Sequence, residues 1–121
     1  MIYSSKDPVP VEEVEDMLYW YQFTIEDVKS NYEKGDYFKG HLIAMTVLRH
    51  IRHEFRLHRR KDIFDHYFED PLFIVYSRAV YDLKHLFPLI PSKKNILIFC
   101  KNALDIIAHV QLFISTYINK S

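Results

Sequence analysis

Glycine is nearly missing from this chain: two residues, Gly35 and Gly40, among 121. β-Sandwiches, barrels and phosphate-binding loops rely on many tight turns or on a glycine-rich run, and neither is present. Cysteine is down to Cys100 alone, which excludes an internal disulfide and suits a reducing compartment. That cysteine lies in an apolar stretch, where a thiol packs as a small inert hydrophobe. The most apolar run, Ile96–Phe99, falls far short of a bilayer span. The first eleven residues are polar and hold Pro8 and Pro10, unlike a secretory leader, so a cytoplasmic protein without a membrane partner is expected. An excess of either charge is lacking too: 16 basic and 16 acidic residues give a net charge of zero, which argues against duplex DNA as a ligand. No Gly-x-Ser-x-Gly, Cys-x-x-Cys or Glu-x-x-His occurs, so neither self-sufficient catalysis nor an in-bundle metal centre is expected. His50, His53, Asp62 and His66 read instead as solvated groups on a basic face.

What the chain does have is helical periodicity. Residues 1–10 (MIYSSKDPVP) show no period and read as a linker or flexible tail, and 11–121 form one domain. Val11, Val14, Leu18, Tyr21, Ile25, Val28 and Tyr32 recur at 3-4 spacing and predict a first helix over Val11–Tyr32. Gly35 is placed to end it and Asp36 to cap the next. The second helix is predicted over Tyr37–His58 with Phe38, Leu42, Met45, Leu48, Ile51 (or Arg52) and Phe55 facing inward. Asp62–Glu69 reads as a connector with about one helical turn. Asp70-Pro71, an acid followed by proline, signals a third helix over Pro71–Leu86, apolar nearly all round and hence the most buried. The fourth spans Lys93–Ile118, with Ile96, Phe99, Ala103, Ile106, Val110, Phe113 and Tyr117 as its seam. The expected fold class is all-α, an antiparallel up-and-down four-helix bundle with a short helical connector between helices 2 and 3.

Charge is segregated along this frame. Residues 1–36 carry nine acids against three lysines, whereas Arg49–Lys61 holds six cations, three histidines and a single acid, Glu54. On a helix, Arg49, Arg52, Arg56 and Arg59 share one side. Two readings of that stripe stay open: an ion-pair network with the acidic start of the first helix, or a site for an anion such as phosphate, nucleotide or RNA. Tyr19 and Trp20 lie off the apolar seam, so they either add packing or offer a stacking surface to a ligand or partner.

The order Asp7–Pro10, the acidic and aromatic Glu12–Tyr21, the Glu33–Asp36 turn and Val47-Leu48-Arg49 resembles the all-helical second domain of bacterial nucleotidyltransferases of the kanamycin or aminoglycoside kind. The resemblance covers about residues 7–115 and implies a noncatalytic substrate-binding or partner domain. Such a domain packs on a nucleotidyltransferase catalytic domain, in cis or in trans, and that head would bring ATP or another nucleotide with magnesium. The head's Gly-Ser motif and paired aspartates are not in this chain. The implied ligand-binding residues are Arg49, Arg52, Arg56 and His53, with Trp20 and Tyr19 on the acceptor side or at the interdomain contact. These helical domains are in turn similar to HEPN domains, some of which are RNases carrying Arg-x(4–6)-His. Arg52–His58, Arg60–His66 and Arg78–His85 match that spacing, and His58 would then transfer the proton. A homodimer, and a purely structural bundle that oligomerises through its first or last helix, complete the expectations.

Overall fold

The computed structural model describes residues 8–118, and among them five α-helices and no strand: α1 (Val11–Glu33), α2 (Tyr37–His58), α3 (Lys61–Tyr67), α4 (Pro71–Leu86) and α5 (Lys93–Phe113). A π-helical stretch, Ile114–Ile118, continues α5. The molecule is a helical bundle in which α1 packs on α2 and α5, α4 packs on the same two helices, and α3 leans on α2.

The punctuation follows from local chemistry. Gly35 ends the first turn-over with φ of 87°, a conformation that side chains with a Cβ resist. Asp36 then accepts from the Lys39 amide, and Asp70 accepts from the amides of Leu72 and Phe73 ahead of Pro71. Ser92 caps α5 through the Asn95 amide. Gly40 serves packing rather than flexibility: a Cβ there would stand 2.6 Å from Cδ1 of Tyr32, so α1 and α2 approach closely at that level. Of the segment read as a tail, residues 1–7 lie outside the description. Its last residues are strapped down, because the Val9 amide donates to Asp70 Oδ2 at 2.7 Å.

The α1 seam is as expected, with Val14, Leu18, Tyr21, Ile25, Val28 and Tyr32 all buried. Three expectations need correction. The inner face of α2 is Gly40, Ala44, Val47, Leu48 and Ile51, whereas Phe38 is 78% and Leu42 51% exposed. Small residues face α1 there because the close approach leaves no room for large ones. The α4 helix is one-sided rather than apolar all round in its burial, with Ile74 and Tyr81 open to solvent. In α5, Ile107 and Ile114 replace Ile106, Phe113 and Tyr117 in the core. A straight helix at 3.6 residues per turn drifts away from a strict heptad, so the buried line moves by one residue after Ala103. Lys93–Ile118 is also long and apolar enough, by length and composition, to cross a membrane, although one side of it forms bundle core.

Candidate functional site

The last turn of α2, one side of α3 with its C-cap, and α4 from Phe73 to Tyr81 line an open cleft of about 460 Å³. Phe55, His58 and Arg59 come from α2 and its C-cap, Phe64 and Phe68 from α3 and its end, and Phe73, Ile74, Ser77 and Tyr81 from α4. Each set follows from helical spacing, since residues three or four apart stack on one side. The walls are rings: Phe64 lies 6.3 Å from Phe68 and 6.5 Å from Phe73, and Phe55 lies 6.1 Å from Tyr81. Two cations sit over the Phe55 ring, the Arg59 guanidinium at 5.3 Å and the Lys84 ammonium at 4.8 Å from its centroid. The quadrupole of the ring holds them there without neutralising their charge. Phe64, Phe68, Ile74 and Tyr81 remain open to solvent, so the cleft presents apolar surface with positive charge beside it.

His58 forms the back wall. Its Nδ1 lies 2.6 Å from Ser77 Oγ, and its ring stacks on Phe73 at 5.0 Å. Burial pushes the imidazole below its ordinary pKa, with the Glu54 carboxylate pulling the other way. Behind His58 lies a second cavity, of about 350 Å³, bounded by Glu13, Met17, Glu54, Tyr67 and Tyr76 among others. There Tyr76 donates to Glu54 Oε1 at 2.8 Å, and burial drives the phenols of Tyr21 and Tyr76 far above their usual range. The pair is a structural hydrogen bond that satisfies a half-buried carboxylate. His58 therefore separates the cation-flanked cleft from a second, largely apolar cavity that two carboxylates, Glu13 and Glu54, border.

The residues expected from the sequence fall into two places. Arg49, Arg52, His53 and Arg56 are all exposed along the outer side of α2, and among the described residues none makes an ion pair or side-chain hydrogen bond. Of the two readings of this stripe, the ion-pair network with the acids that open α1 is not formed among the described residues. The cations that do pair are the next ones along, Arg60 with Asp62 at 2.7 Å and Lys61 with Asp65 at 2.6 Å. Trp20 is half-buried, its ring 4.6 Å from that of His50, which ties it to the α1–α2 contact; Tyr19 is 70% exposed. Arg52 and His58 do not converge, because six positions along a helix put them on different sides, one outward and one inward.

Arg59 is where the stripe meets the cleft. Arg52 precedes it by seven residues and shares its angular position on α2, while Arg49 and Arg56 sit about 60° further round. Sequence reasoning missed Lys84, Phe55, Phe73, Ser77 and Tyr81 as site residues, because nothing in the chain says that α4 lays Ser77 and Tyr81 beside His58 and Phe55. The density of rings over Phe64–Phe73 was the signal available. Among the described residues no three His, Cys, Asp or Glu side chains converge on a common point. Comparison with family models, with curated proteins and with solved structures found no match to this chain.

Proposed function

We propose that this chain is a noncatalytic helical binding domain that takes a planar anionic ligand, a nucleotide in the first instance, for a nucleotidyltransferase-like partner. Its frame is an antiparallel up-and-down four-helix bundle with α3 as the connector, and its setting is cytoplasmic. Magnesium and the reacting groups would come from a separate catalytic head. The observation that carries the reading is the placing of Arg59 and Lys84 over Phe55 at the mouth of a ring-walled cleft. A base stacks between aromatic walls, and phosphate charge meets two cations that have no carboxylate partner among the described residues. A volume of about 460 Å³ suits such a ligand. Arg52 extends the positive edge, and the role of Arg49 and Arg56 in ligand capture is correspondingly smaller than the stripe alone suggests.

The test is titration of the chain with ATP and, separately, with inorganic phosphate. ATP is expected to bind the more tightly, and Arg59→Ala or Lys84→Ala to weaken it by about tenfold each with the helical signal unchanged. ATP affinity unmoved by either substitution would overturn the assignment. A second reading rests on the 2.6 Å contact between His58 and Ser77 in the cleft wall. An imidazole kept neutral by burial suits proton abstraction, so this reading is a HEPN-type RNase with His58 as its base, without Arg52 beside it and with Arg59 as the nearest cation in the cleft. It requires RNA cleavage by the wild-type chain that is lost in His58→Gln.

A further inference from the structure

We infer that the outer face of α1 and α2 is an isologous dimer interface, and that its occupant is a second copy of this chain. The face is left open by the fold. Gln22 bonds to Gln111 and Trp20 stacks on His50, so α1 turns one flank to α5 and the other to α2. Glu12, Asp16 and Phe23 lie between those flanks, exposed. On α2 the corresponding outward line is Leu42, Arg49, His53 and Arg56, also exposed. One half of the face is thus acidic and the other basic, and among the described residues no ion pair joins the two.

Geometry matches the halves to each other. Trp20 stands level with His50 and Tyr32 with Gly40, so levels along α1 and α2 are fixed relative to one another. A two-fold axis parallel to the helices lays α1 of one copy over α2 of the other and keeps those levels. Asp16 then lies level with Arg56 of the second copy and Glu12 one turn beyond it, and Phe23 lies opposite the stretch from Leu42 to Arg49. Each contact occurs twice by symmetry. The complementary charges steer and register the pair, while Phe23, Leu42 and the half-buried Trp20 supply apolar area at its centre. A parallel arrangement of α1 on α1 would set acid against acid, which the charge pattern disfavours.

Two charge-reversed chains test this by sedimentation equilibrium, read together with the emission of Trp20, the single tryptophan. The wild-type chain is expected to dimerise below about 100 µM and to shift Trp20 emission to the blue as it does so. E12R/D16R and R49E/R56E are each expected to remain monomeric, with a dimer Kd raised by about 100-fold. Mixed in equal amounts they are expected to form a heterodimer, because each then offers the other an opposite face at both contacts. Recovery in the mixture also establishes that both variants are folded. A wild-type chain monomeric throughout that range overturns the inference. So does a dimer indifferent to both reversals, or a pair of monomers with native circular dichroism that fail to associate on mixing.

Discussion

His58 shows how one side chain serves two environments. Its ring is stacked on Phe73 and bonded to Ser77, with the cavity that Glu54 borders at its back, and burial is the larger influence on its titration. A histidine whose folded pKa lies below the ordinary 6.5 contributes stability that is fully present above 6.5. That contribution is lost as pH falls from there through the depressed folded value, since the unfolded chain binds the proton more readily. Urea midpoints are therefore expected to fall between neutral pH and about pH 5, and His58→Gln to flatten that slope relative to wild type. Equal slopes in the two chains would remove the burial argument. The sequence offered His58 as one of three histidines in a basic run and as the proton carrier implied by the HEPN resemblance; the inward turn that sets its surroundings depends on where α4 lies.

At the scale of elements, caps and seams were legible to different degrees. Asp36, Asp70 and Gly35 were readable because a cap is a local contract between a side chain and amides two or three residues on. Asp70 carries a further, non-local load: Oδ1 caps α4 while Oδ2 accepts from Val9, 61 residues away. Asp70→Ala is expected to cost about 1–2 kcal/mol in unfolding free energy. Asp70→Asn keeps the capping oxygen but cannot accept from Val9 through its amide nitrogen, so it should restore most stability while raising hydrogen exchange at the Val9 amide. An Asn variant as unstable as Ala would show that the strap, not the cap, dominates. The rotation of α2 escaped sequence reading for a related reason. Phe38, Leu42 and Met45 are the more apolar line, but Gly40, Ala44 and Val47 are the line that lets α1 approach, and contact distance outweighed hydrophobicity.

For the whole molecule, the core is continuous from Val14 to Ile114 and Cys100 lies inside it with no exposed surface. Burial pushes its thiol up to about 12, so thiolate is scarce at neutral pH. Alkylation of Cys100 is expected to be negligible in the folded chain and to appear with the same urea midpoint as the loss of helical signal. Labelling well before that midpoint would mean that α5 opens on its own. The long-range charge pattern belongs to this scale as well. Acids at the start of α1 and cations at the end of α2 were plain in the sequence, yet among the described residues no ion pair joins the two sets.

Helix boundaries, caps, the α1 seam and the all-helical class were written in the order of residues, because each arises from interactions within a few positions of the chain. The rotation of α2 and α5, the outward path of Arg49, Arg52 and Arg56, and the cleft joining Phe55, His58 and Arg59 to Ser77 and Tyr81 came only with packing. Those features depend on distances between helices, and a helix of fixed periodicity is free to turn about its own axis until its neighbours press against it.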